Sequence, residues 1–106
     1  MHDVRIGASA ERDLIVGFNF YEHQAANLGQ YFLDSLFSDI DALTLHAGIH
    51  PKPIAGLYRS LSRRFPFAIY YDFDGSTAIV LAVLDCRRNP RSIRGMLGAR
   101  RTQPKK

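Results

Sequence analysis

Hydrophobic and polar positions alternate first at Val4 and Ile6, on either side of Arg5, which predicts a short edge strand. Leu14, Ile15, Phe18, Tyr21 and Ala25 then recur at three- and four-residue spacing, one apolar face of a helix over about residues 10–25. Ser9 is the expected N-cap, with Glu11 and Asp13 in the first turns, where carboxylates suit the positive end of the helix dipole. Gly17 inside that helix costs about 1 kcal/mol, which a well-packed face absorbs. Asn27 reads as a break and a second N-cap. Leu28, Phe32, Leu36, Ile40 and Leu43 continue the pattern, widened by Tyr31, Leu33 and Phe37, while Asp34, Asp39 and Asp41 fall off the stripe. This helix is expected to end near His46, with Gly48 as its left-handed terminator. So short a connection makes the pair an antiparallel helical hairpin.

Pro51 and Pro53 mark a non-helical connection, and three strand patterns follow. Residues 56–62 alternate, residues 67–73 are aromatic and β-branched, and residues 77–84 (TAIVLAVL) read as the most buried strand. Asp74-Gly75 joins the last two as a hairpin turn. Pro90 opens a short C-terminal helix to about Leu97, with Arg91 and Arg94 on its polar side. The fold class is α+β, in the order β-α-α-β-β-β, with the helical hairpin lying across one face of an antiparallel sheet. One domain over residues 1–97 and a flexible basic tail over 98–106 account for the chain.

Composition narrows the function classes. The 106 residues, 46% apolar and 23% charged, suffice for one real core. A single cysteine, Cys86, excludes an internal disulfide and a thiolate zinc cage, and points to a reducing, cytoplasmic setting. Met1 to Arg5 lead straight into mixed charge, unlike a secretion leader, and the longest apolar run is too short to span a bilayer. Charge is unevenly distributed. Residues 1–86 carry six basic side chains against all ten acidic ones, and residues 87–106 carry eight basic side chains and no acid. Such a terminus attracts polyanions or an acidic protein surface, or it is simply a solvated tail.

Catalytic signatures are few. There is no nucleophile elbow and no glycine-rich phosphate loop. Cys86 stands beside Arg87 and Arg88, which would lower its pKa, but inert packing at the end of a buried strand is the simpler reading. His46 and His50 are four apart, yet Gly48 and Pro51 break the helix that would align them, so neither a metal nor a cofactor is expected. Asp72 and Asp74 are read as turn chemistry. Arginine remains. Arg59, Arg63 and Arg64 lie along or after the first meander strand, and Arg87, Arg88 and Arg91 follow the last. A meander brings these regions to one end of the sheet, with Tyr58 and Tyr70 nearby for base stacking. Ordinary solvated charge at strand ends is the alternative.

These residues also resemble a family. Ala8 to Leu14 (ASAERDL) with Phe20-Tyr21-Glu22, and Leu28 to Leu33 (LGQYFL), resemble the two helices of RelE/ParE toxins. The more specific likeness lies in Tyr58-Arg59, in Arg63 to Tyr71 (RRFPFAIYY), and in Val80 to Pro90 (VLAVLDCRRNP), which resemble the ParE-like branch. The resemblance spans about residues 3–95. It implies the toxin of a type II toxin–antitoxin pair, such as serves plasmid stabilisation, forming a hetero-oligomer with a cognate antitoxin. RelE-like members cut mRNA on the ribosome with arginine, lysine and a proton-transferring side chain. Here Ala68 stands where such nucleases carry an arginine, Arg59 and Leu61 replace the usual lysines, and no tyrosine follows Tyr71. That departure favours ParE-like poisoning of DNA gyrase without catalysis. An mRNA endonuclease using Arg59, Arg63, Arg87 or Arg88, and a degenerate binding-only domain, are the other readings. An antitoxin typically lays an apolar, acidic segment across its toxin, and Phe20, Tyr31, Phe37 and Arg94 are the expected contacts.

Overall fold

In a computed structural model, which describes residues 1–101, the order of elements is β1 (Asp3–Ile6), α1 (Ala8–Glu22), α2 (Leu28–Asp41), α3 (Leu43–His46), β2 (Tyr58–Leu61), β3 (Phe67–Phe73), β4 (Thr77–Asp85) and α4 (Pro90–Arg101). The α+β architecture is the expected one. The sheet runs β1-β4-β3-β2. β2, β3 and β4 form the antiparallel meander. β1 joins its far side parallel to β4, so the complete sheet is mixed. The helical hairpin between β1 and the meander is the crossover that a parallel neighbour requires.

Helix boundaries follow local hydrogen bonding. Gly7, not Ser9, is the N-cap of α1, because its N–H completes the β1 ladder to the Val80 carbonyl (2.8 Å) and its own carbonyl starts the helix. Asn27 does lie between the helices, but in a left-handed conformation (φ 70°) with no side-chain cap. Glu22 takes that role, its carboxylate accepting from the Asn27 and Gly29 N–H groups at 3.0 and 2.9 Å. Ala42 between α2 and α3 keeps right-handed helical angles, and Gly48, at φ +93°, ends the run as expected. β2 begins at Tyr58 rather than residue 56, because Ala55 and Gly56 are both left-handed and form a turn. In the β3–β4 hairpin the Asp74 carboxylate accepts from the Ser76 and Thr77 N–H groups, which lowers its pKa.

Two cores sandwich the sheet. Leu14, Tyr21, Phe32, Leu36 and Ile40 of the hairpin meet Phe67, Ile69, Tyr71, Val80 and Val83 on one face. The other face is covered by α4, whose Ile93 and Leu97 pack on Leu57, Ala68, Tyr70, Ala82 and Leu84. The continuous apolar run of β4 reflects this double cover. Tyr70 pairs with Ala82 but Tyr71 with Val80, so Leu81 is an extra residue, a β-bulge. The bulge switches which β4 residues face the hairpin, from Ala78 and Val80 before it to Val83 after it.

Two further expectations need correction. Helix α4 continues beyond Leu97 to Arg101, so residues 98–101 are not tail. Residues 102–106 lie outside the described residues. Arg100 forms an ion pair with Asp13 of α1 (2.6 Å), with only 15% and 12% of the two side chains exposed. Asp39 is buried, not off the stripe, and accepts a 2.6 Å hydrogen bond from the Ser62 hydroxyl. Gly17 is a site of close approach, since a Cβ there would lie 2.5 Å from the Phe32 ring. Among the described residues, no helix is long and apolar enough to cross a membrane.

Candidate functional site

The end of the sheet where β2 leaves, β3 begins and β4 finishes carries two arginine-bearing loops. The β2–β3 loop holds Arg63 and Arg64. It is fixed from both sides. Asp39 anchors Ser62, and the Phe65 ring lies 4.9 Å from Tyr21, 5.1 Å from Phe32 and 5.5 Å from Tyr31. The second loop is tied to the first where the Cys86 N–H donates to the Pro66 carbonyl at 2.8 Å. It presents Arg87 and Arg88, and the Asn89 side chain caps α4 through the Arg91 N–H (2.8 Å). This junction places Arg63, Arg64, Arg87 and Arg88 at one end of the sheet, all exposed, and exposed Arg91 follows in the first turn of α4.

These arginines differ in what they hold. Arg87 is clamped on Asp85 through Nε (2.9 Å) and Nη2 (2.6 Å). The contact lowers the Asp85 pKa and raises that of Arg87. Arg63, Arg64, Arg88 and Arg91 have no carboxylate within ion-pair distance among the described residues. Arg59 lies deeper. It is paired with Tyr70 across β2 and β3, with its Nε buried and unpaired among the described residues.

The aromatic half of the expected site is not at the rim. Tyr70 is 3% exposed in the core beneath α4, and burial raises its pKa. Tyr58 is half-buried on the hairpin face, its ring stacked on Tyr71 with centroids 5.2 Å apart. Neither ring is free to stack on a base. Cys86 has a raised rather than lowered pKa, because desolvation and Asp85 outweigh Arg59 and Arg87. His50 sits in the α3–β2 connection, where it pairs with the Tyr71 hydroxyl, and desolvation followed by His46 lowers its pKa. No group of three or more His, Cys, Asp or Glu side chains among the described residues is placed to hold a metal.

The four expected antitoxin contacts do not form one patch. Phe20 lines a cavity between α1 and β4, whereas Phe37 lines a separate groove between α2 and β1. Tyr31 leans on Phe65, and Arg94 is exposed on α4, over the opposite face of the sheet. Sequence reasoning missed the partnership of Asp13 with Arg100. The sequence offers no local signal for a contact spanning 87 residues.

The rim therefore offers positive charge on a rigid junction, with an apolar cavity beside it. The scaffold is the RelE/ParE-like α+β fold, and a comparison with solved structures shows this. A chain of the structure titled "Chromosomal ParDE TA system from P. aeruginosa" superposes with a TM-score of 0.71, covering 78% of this chain and 94% of that one at 16% identity. No family model and no curated protein sequence matches the chain.

Proposed function

We propose that the chain is the toxin of a type II toxin–antitoxin pair, ParE-like in action, which binds DNA gyrase through the arginine rim and is neutralised by a cognate antitoxin. The observation that carries this reading is the rim itself: guanidinium groups without a carboxylate partner among the described residues, on a scaffold shared with a ParDE structure, and with the Tyr70 hydroxyl buried rather than free to transfer a proton. Arginine without such a group binds and holds an anionic surface, whereas phosphodiester cleavage needs a proton taken and returned. Tyr70 suits that role poorly, because it is buried and its pKa is raised.

The test is induced expression without antitoxin, with gyrase supercoiling assayed on purified protein. Supercoiling is expected to fall with the wild-type chain. The loss of activity should weaken at least about tenfold on changing Arg63, Arg64 and Arg88 together to alanine, the scale of losing several charge-assisted contacts. Unchanged supercoiling at high toxin excess removes the gyrase assignment. Codon-internal cuts on translated messages, read by primer extension, would replace it with mRNA cleavage.

A further inference from the structure

A cavity of about 230 Å³ opens between α1 and the end of β4, beside the rim. Its walls are largely apolar, with Val16 and Phe20 from α1, Phe67 from β3 and Val83 from β4. Val16 and Phe20 are 62% and 52% exposed, and Ile15 beside them is 59% exposed. A contiguous apolar patch of this kind marks a contact surface more often than a lone exposed side chain does. The space suits one side chain of leucine to phenylalanine size.

The charges at the lining decide what such a side chain would be attached to. Asp13 is taken by Arg100, and Asp85 is taken by Arg87. Arg88 is the third charged liner, and the contact it makes is with the Met96 sulfur at 3.7 Å. A basic ligand would find both carboxylates already neutralised. An acidic one finds the Arg88 guanidinium without a carboxylate partner among the described residues.

The geometry points to this cavity as the seat of an apolar side chain on an acidic protein segment, held by Arg88. The assignment of that segment to the antitoxin rests on the toxin reading above. Arg88 belongs to the cavity and to the rim alike. A segment seated here therefore removes one of the rim's free arginines, so that partner and target compete for Arg88. Neutralisation would then be direct competition at Arg88.

The full-length chain, ¹⁵N-labelled, is titrated with the peptide acetyl-EELEE-amide and followed by NMR. Acetyl-EESEE-amide and acetyl-KKLKK-amide are the controls. Shifts centred on Val16, Phe20, Val83 and Arg88 are expected with EELEE. Affinity should drop about tenfold for each control and in Phe20→Glu or Arg88→Glu, the effect of losing one anchor. Well-dispersed spectra of the two variants show that they fold. Shifts centred elsewhere, equal binding of all three peptides, unaltered binding in both variants, or no binding at millimolar peptide each overturn the proposal. Growth arrest by the wild-type chain is scored separately. Arrest without peptide binding removes this inference and leaves the toxin reading, whereas peptide binding without arrest leaves the cavity site and removes its antitoxin.

Discussion

Replacing Asp13 with alanine removes one carboxylate that serves three donors at once. Its Oδ2 accepts from the Val83 N–H at 2.9 Å and from Arg100 Nη1 at 2.6 Å, and its Oδ1 accepts from Arg100 Nη2 at 3.0 Å. Arg100 Nη1 also donates to the Leu81 carbonyl at 3.1 Å. Leu81 is the bulged residue and Val83 lies two positions beyond it, so the ion pair satisfies backbone groups where the bulge breaks the β3–β4 ladder. Without Asp13 the Val83 N–H and a largely buried guanidinium lose their partners. Breaking a buried pair in this way costs about 3–5 kcal/mol, against a total stability of about 5–15 kcal/mol for a domain. For a domain near 100 residues that is a fall in Tm of about 15–25 °C. Arg100→Met should cost less, about 2–3 kcal/mol, because Asp13 keeps the Val83 N–H. The double variant should be more stable than the sum of the single losses predicts, by about 2 kcal/mol. Urea unfolding of the four proteins measures all three values. Little change with added salt is expected, since both side chains are shielded from solvent. A loss below about 1 kcal/mol for Asp13→Ala, or strict additivity in the cycle, would refute the clamp.

Two glycine substitutions should move stability in opposite directions. Gly17→Ala puts a Cβ 2.5 Å from the Phe32 ring and should cost about 1–3 kcal/mol net of its helix propensity gain, whereas Gly98→Ala in α4 meets nothing within 4 Å and should stabilise by about 0.5–1 kcal/mol. Urea midpoints decide both, and a stabilising Gly17→Ala would show that the hairpin is not close-packed there. For His50 the folded state lowers the pKa from 6.5, so its contribution to stability is intact above pH 6.5 and is lost as pH falls through the lowered value. Wild type should therefore lose more stability than His50→Asn between pH 7.5 and 5.5, and parallel pH profiles would remove that linkage.

The two helices were legible because each buries an apolar stripe of helical period, and β3 and β4 because their near-continuous apolar runs are covered on both faces. Leu14, Tyr21, Phe32, Leu36 and Ile40 are all in the core. The gathering of arginines at one rim followed from topology alone, since Arg63–Arg64 and Arg87–Arg88 follow strands that share an end. The missed features have a common physical origin: polar side chains whose partners are remote in sequence. Ser9 looks like a better cap than Gly7 until the β1 ladder claims the Gly7 N–H. Asp39 looks solvated until Ser62 arrives from 23 positions away. Tyr70 looks available until α4 covers it, and α4 looks short until Arg100 finds Asp13. Periodicity reports which face a residue occupies, not which polar group waits there.

The same division bears on how far fold argues function here. A scaffold shared at 16% identity is held by features that many sequences satisfy: apolar stripes, close helix contacts and a sheet covered on both faces. The rim places few such demands on the scaffold. Arg63, Arg64 and Arg91 are exposed, and none of them holds an ion pair among the described residues. Replacing them should alter stability by no more than about 0.5 kcal/mol, the usual range for surface substitutions. Guanidinium groups that the fold does not need, gathered on a loop junction that Asp39 and Phe65 hold rigid, point to work outside the fold. On the proposed reading the target is met at these side chains, and variants there should separate activity from folding as core variants cannot.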